Sequence, residues 1–161
     1  MIYKDWEPIY NKIAKDFSYP LKKEEKSAEL LNSILKDNKS ENIEKLRNLI
    51  KDKQVIVFGA GPSLDLFLKG DKETFSDKTI MVADGATTAL LDNHILPDII
   101  VTDLDGTISD QLIANQNGSI LVVHAHGDNI EKIEKYRSKL LYNIIGTIQI
   151  NPIDYENLYN F

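Results

Sequence analysis

The sequence predicts an α/β fold: a three-layer sandwich around a mostly parallel sheet, preceded by an N-terminal helical segment. Two patterns carry this. From Gln54 onward, short β-branched apolar runs alternate with helix-like stretches, an order that implies right-handed βαβ crossovers and a parallel sheet. Before Gln54 the apolar residues instead recur at steps of three and four, the spacing of amphipathic helices. The chain is 161 residues long, enough for one ordinary domain. Residues 1–53 are expected to pack as helices on an α/β core formed by residues 54–161.

In the first third, Trp6, Ile9, Tyr10, Ile13 and Phe17 mark one helix, with Asp5 as its N-cap and Pro8 tolerated in its first turn. Ser18-Tyr19-Pro20 breaks it. Ala28, Leu31, Ile34 and Leu35 mark a second helix. Ser40 is expected to cap a third, with Ile43, Leu46, Leu49 and Ile50 on its apolar face. Such stripes are read as core packing, and no chemistry is assigned to these helices.

The strand runs are Val55–Phe58, Thr79–Ala83, Ile99–Thr102, Ile120–His124 and Asn143–Ile150. Helices are expected after Leu64, from about Thr87 to Asn93, near Ser109–Asn115, and beyond Asn129 to about Leu140. The arrangement is Rossmann-like.

Composition narrows the function. There is no cysteine, which excludes disulfides, cysteine-ligated zinc and thiolate catalysis. No apolar run approaches the ~20 residues that span a bilayer, and the N-terminus lacks a signal-peptide pattern. A soluble, cytoplasmic protein with no membrane partner is expected. Residues 1–54 carry a net charge of +2 and residues 55–161 a net charge of −8. Nucleic-acid binding needs the opposite sign on the motif-bearing part, so no nucleic-acid partner is expected. A nucleotide can still bind there if Mg²⁺ bridges its phosphates to carboxylates.

Each of the first four strands ends in a polar turn that contains glycine, and in a parallel sheet these turns share one edge. Gly59-Ala60-Gly61-Pro62-Ser63-Leu64 lets a ligand approach the backbone closely and aims amides at an anion. It is not a full dinucleotide fingerprint, because Leu64 stands at the third glycine position, and it lacks the Gly-Lys-Ser/Thr of a Walker loop. Asp84-Gly85 ends the second strand, where nucleotide-binding α/β proteins often hold a ribose or a metal. Asp103-Leu104-Asp105-Gly106 ends the third. Strand alternation would point Asp103 and Asp105 the same way, and converging carboxylates repel unless a cation or shared proton sits between them. His124-Ala125-His126-Gly127-Asp128-Asn129 ends the fourth, with the two histidines related by the same alternation. His94 is read as an ordinary surface residue.

Asp103-Leu104-Asp105-Gly106-Thr107 is similar to the first motif of haloacid-dehalogenase-type phosphatases, in which Asp103 would be the nucleophile and Asp105 the general acid/base. That family carries the motif on its first strand and an acidic pair well downstream, and neither holds here. The full ordered set covers residues 54–150: Val57–Leu64, Ala83-Asp84-Gly85-Ala86, Pro97–Gly106 and His124–Asn129. This set resembles the archaeal 6-hydroxymethyl-7,8-dihydropterin pyrophosphokinases, distant kin of thiamine pyrophosphokinase.

The resemblance implies Mg²⁺-dependent transfer of a pyrophosphoryl group from ATP to the pterin's hydroxymethyl oxygen, with release of AMP, in methanopterin- or folate-type coenzyme synthesis. It implies Asp84, Asp103 and Asp105 at the metal and the chemistry. Gly59, Gly61, Pro62, Ser63 and Gly85 would lie at the nucleotide phosphates. His124, His126, Gly127, Asp128 and Asn129 would contact phosphate, pterin or metal. The family pattern continues past Phe161 with a Gly-rich, Asp-containing segment, so either a C-terminal truncation or a shorter member of the family is expected. A noncatalytic or glycosyltransferase-like nucleotide-binding module is the other reading, and assembly into a homo-oligomer is left open.

Overall fold

The computed structural model describes residues 3–35, 39–70, 75, 77–151 and 155–160, the side chains of Tyr3, Lys39 and Ser40 excepted. The capping role expected of Ser40 therefore lies outside the described residues. Three N-terminal helices, α1 (Tyr3–Asp16), α2 (Leu21–Ile34) and α3 (Lys39–Ile50), lead into the sheet. Then β1 (Val55–Phe58), α4 (Leu64–Leu68), β2 (Thr79–Ala83), α5 (Ala86–Asp92), β3 (Ile99–Thr102) and α6 (Ile108–Gln116) alternate. They are followed by β4 (Ile120–His124), α7 (Ile130–Tyr136) with a 3-10 turn at Arg137–Lys139, β5 (Ile144–Ile148) and β6 (Leu158–Asn160).

All six strands among the described residues are parallel, and they lie side by side in chain order from β1 to β6. Right-handed crossovers that always advance in one direction put their helices on one face of the sheet. The packing agrees. Leu64 and Leu68 of α4, Ala86 and Leu90 of α5, Leu112 of α6 and Ile133 of α7 share one core with Val82, Ile100, Leu121 and Val123. Ala28 and Leu31 of α2 join the same core. The opposite face is covered by α3, whose Ile43, Leu46 and Leu49 pack on Ile99, Ile120, Val122 and Ile145. That makes three layers. The cover stops short of β1, where Val57 is 66% exposed, and Val101 of β3 is 39% exposed.

Residue choice fixes how closely the layers approach. A Cβ on Gly146 of β5 would lie 2.7 Å from Leu35 Cδ1 and 3.2 Å from Leu31 Cδ2, so the glycine is what lets α2 settle on that strand. In α1 the apolar stripe is only partly core. Tyr10 and Ala14 are buried, but Ile9 and Phe17 are exposed, and the Trp6 indole N–H donates to the Gln149 carbonyl at 2.9 Å. Asp5 lies inside the first turn of α1 rather than capping it, because the helix begins at Tyr3. No helix among the described residues is long and apolar enough to cross a membrane.

Candidate active site

The turns that leave β1, β2, β3 and β4 touch one another in sequence, forming a continuous rim at the carboxyl edge of the sheet. A Cβ on Gly85 would meet Ala60 at 3.4 Å, which places the second turn against the first. A Cβ on Gly106 would lie 3.0 Å from the Gly85 nitrogen and 3.1 Å from the Asp84 carbonyl carbon, so the third turn rests on the second. Asn129 Nδ2 donates to the Asp103 and His124 carbonyls, each at 2.8 Å, and ties the fourth turn to the third.

The glycines of the first turn differ from Gly106. A Cβ on Gly59 or Gly61 would meet nothing within 4 Å, and neither residue has a positive φ. Neither local sterics nor backbone conformation demands glycine there. The open space leaves room for a ligand to reach the backbone. Pro62 and Ser63 are exposed in the same turn, and Ser63 precedes α4 without a capping side-chain hydrogen bond.

Asp84 sits just past β2 at φ 27°. Its Oδ1 accepts a hydrogen bond from the Thr102 hydroxyl, which in turn accepts the Leu104 N–H at 2.7 Å and lies 3.0 Å from Oε1 of the buried Gln111. Burial pushes the Asp84 carboxyl above the usual carboxylate range; the Thr102 hydrogen bond opposes this, and the charges of Asp103 and Asp105 add to it.

The third turn is not built as strand alternation expects. β3 ends at Thr102, and Leu104 follows at φ 66° with its side chain fully buried. The chain bends through the left-handed region, and the Asp105 N–H donates to Asp103 Oδ1 at 3.2 Å. The Asp105 carboxylate pairs with Lys132 of α7, which holds the ammonium proton more tightly than usual. Asp84, Asp103 and Asp105 thus line adjacent turns. Among the described residues, however, no three His, Asp or Glu side chains are gathered as a ready-made set of metal ligands.

The same departure occurs after β4, where His124 is the last strand residue and His126 lies in the loop. The two rings stand edge to face, 6.4 Å apart. His124 Nδ1 faces Thr147 Oγ1 at 3.1 Å, and burial, with the neighbouring His126, pushes its imidazole below the usual range. Gly127 and Asn129 are buried, whereas Asp128 is exposed. His94 is exposed, at φ 60°.

A family model described as 6-hydroxymethylpterin diphosphokinase MptE-like matches residues 29–161. The chain belongs to this family. Over 167 residues it is 45% identical to the 6-hydroxymethyl-7,8-dihydropterin pyrophosphokinase of Methanocaldococcus jannaschii, an alignment covering 100% of this chain and 69% of the relative. It is 44% identical to the protein of that name in Pyrococcus furiosus, with 100% and 67% covered. For Methanothermobacter thermautotrophicus the identity is 42%, with 97% and 65% covered. The chain spans about two thirds of the length of these curated relatives.

In this MptE-like chain the rim has supports that the strand-end motifs do not reveal. Glu24 of α2 is 2% exposed, and its Oε1 accepts the Gly127 N–H at 3.1 Å. Ser27 donates to Asn129 Oδ1 at 2.9 Å. The helices expected to carry no chemistry therefore brace the fourth turn. One signal for this was present: Glu24 and Ser27 are polar, yet they share the buried face of α2 with Ala28 and Leu31.

Proposed function

We propose that this chain carries the site of a Mg²⁺-dependent pyrophosphokinase. It would move a pyrophosphoryl group from ATP to the hydroxymethyl oxygen of 6-hydroxymethyl-7,8-dihydropterin, releasing AMP, in the synthesis of tetrahydromethanopterin- or folate-type coenzymes. The observation that carries this reading is the contiguous rim, with Asp84, Asp103 and Asp105 on turns that touch. The names of the relatives supply the acceptor and the group transferred.

The donor set suits Mg²⁺, a hard cation that takes carboxylate oxygens and keeps several waters. Burial and the neighbouring carboxylates disfavour the charged form of Asp84, and a divalent cation would relieve that repulsion. Asp84, Asp103 and Asp105 would hold the ion, which when bound would neutralise phosphate charge. The protein's own task in phosphoryl transfer is mainly positioning. The open Gly59–Ser63 turn would meet the nucleotide phosphates through backbone amides. Thr102 and Gln111 would fix the Asp84 carboxylate, and the fourth turn would contact phosphate, pterin or metal. In the reaction, the hydroxymethyl oxygen loses its proton and bonds to the β-phosphorus, and AMP leaves with the electrons of the broken P–O bond.

The test is to follow AMP and bound ligand when the chain is given ATP, Mg²⁺ and the pterin together and in every pair. Mg²⁺-dependent binding of a non-hydrolysable ATP analogue, and AMP only when all three are present, are expected. Two results would overturn the proposal: no affinity for either substrate, or a phosphoryl adduct on Asp103 with phosphate release from simple esters.

A further inference from the structure

Against the fourth turn lies a buried carboxylate of α2 that the proposed chemistry leaves without a task. Glu24 is almost completely enclosed, and both of its oxygens are engaged. Oε1 accepts the Gly127 N–H, and Oε2 accepts Gln149 Nε2 at 3.1 Å. Gln149 is itself held through its carbonyl by Trp6, so α1, α2 and the segment after β5 converge on one carboxylate. Gly127 makes the approach possible, because a Cβ there would lie 2.9 Å from Lys23 Cβ and 3.1 Å from the Glu24 nitrogen. Glu24 also lies in the first turn of α2, where the helix dipole favours a negative charge.

Glu24 Oε1 also stands 3.0 Å from Nδ1 of His126. Asp128 Oδ1 approaches the same nitrogen at 3.7 Å. Nδ1 is shut off from solvent and has no aligned hydrogen-bond acceptor, although the His126 side chain is 32% exposed. An imidazole nitrogen facing two carboxylates cannot present a lone pair to them without repulsion, so it carries the proton. The neutral ring then has its lone pair on Nε2, on the side of the ring away from Glu24. The Tyr19 ring stands edge-on to the imidazole at 6.5 Å.

We propose that Glu24 is a positioning residue that holds a proton on Nδ1 of His126, so that whenever the ring is neutral Nε2 is an acceptor toward the bound substrates. An acceptor repels phosphate and attracts O–H or N–H groups. Resting on the function proposed above, this assigns the fourth turn to the hydroxyl-bearing acceptor substrate and leaves the nucleotide phosphates to the turn at Gly59–Ser63. The carboxylate acts through the ring, as in carboxylate–histidine pairs that fix a tautomer.

The tautomer is read directly by ¹⁵N NMR of the imidazole in the whole chain, on the alkaline side of the His126 titration, with His126→Gln used to assign the signal. The Nδ1–H form is expected in the wild type; a predominant Nε2–H form would overturn the proposal whatever the activity. In Glu24→Gln, a mixed tautomer is expected, with kcat/KM for the pterin falling about 10- to 100-fold, the usual loss when the carboxylate that orients an imidazole is removed. The Kd for the Mg²⁺–ATP analogue should not change. Equal loss of nucleotide and pterin binding in a variant that melts with the wild type would overturn the assignment of the turns. If Glu24→Gln fails to fold, the wild-type spectrum still decides. An Nδ1–H signal in a chain that never uses the pterin would refute the function and leave the positioning standing.

Discussion

Replacing glycine by alanine at two places on the rim separates structural need from ligand need. At Gly106 the new Cβ would lie 3.0 Å from the Gly85 nitrogen, 3.1 Å from the Asp84 carbonyl carbon and 3.3 Å from Gln111 Nε2. Ordinary contact begins near 3.4 Å, and two of these neighbours are backbone, so the second and third turns must part by a few tenths of an ångström. Overpacking of this kind costs about 1–3 kcal/mol. For a chain of this length that is roughly 2–12 °C in Tm. The same displacement moves Asp84 relative to Asp103 and Asp105, so turnover should fall as well, by up to about 100-fold for a shift approaching 1 Å. At Gly61 the Cβ enters open space without a positive φ, and the substitution should leave Tm unchanged or raise stability by about 0.4–1 kcal/mol. Nucleotide affinity should nevertheless fall about 10- to 100-fold if backbone amides there meet phosphate. Differential scanning calorimetry and titration with an ATP analogue read both effects. A Gly106→Ala chain that melts and turns over like the wild type would refute the contact between the turns. A Gly61→Ala chain with lowered Tm and intact nucleotide affinity would make that glycine structural.

Asp84 binds its proton more tightly in the folded chain than an ordinary aspartate does, so ionised Asp84 costs stability. The cost is absent below the unfolded carboxylate range, near pH ~3.9, and grows as pH rises through the folded value. Asp84→Asn, which keeps an oxygen for the Thr102 hydroxyl, should therefore raise Tm at neutral pH, with the gain shrinking toward pH 4, while turnover is lost; a lower Tm at pH 7 would contradict this. Gly146→Ala should destabilise by about 1–3 kcal/mol in urea unfolding, because Leu31, Leu35 and Leu158 must all repack. An unchanged midpoint would mean that α2 does not pack as described. Lys132→Met removes an exposed ion pair worth less than about 1 kcal/mol. It should leave Tm nearly unchanged and tighten Mg²⁺ binding severalfold by freeing the Asp105 charge; weaker Mg²⁺ binding would instead place Lys132 among the groups that hold the Mg²⁺-bound ligand.

The strands were legible because buried parallel strands need uninterrupted β-branched runs, and Thr79–Ala83, Ile99–Thr102 and Ile120–His124 supply them within clear polar boundaries. The row of turns followed from parallel topology. The detail inside each turn did not, because it depends on single hydrogen bonds between distant residues. The Thr102 hydroxyl accepts the Leu104 N–H and helps to end the strand one residue before Asp103, so the period-two rule no longer governs the two aspartates. Lys132 reaches Asp105 across 27 positions, and Glu24 reaches Gly127 across 103. The short strand β6, three residues long, left too little pattern to read. In α1, Ile9 and Phe17 have the spacing of core residues yet face solvent, because spacing reports a common helix face and not whether anything covers it.

The unbroken strand order has a consequence for how two substrates can be held. Sheets whose order reverses offer a crevice at the reversal, where a ligand enters between diverging loops. Here the described strands never reverse, so the proposed binding edge is a ledge. Neighbouring strands lie ~4.8 Å apart, and four strand ends make a ledge roughly 14 Å long. Two substrates laid along it would meet end to end, one over the first pair of turns and the other over the second, with the reacting atoms near the seam at Gly85 and Gly106. On such a ledge, substitutions at either end should raise KM for one substrate only, whereas substitutions at the seam should lower kcat for both.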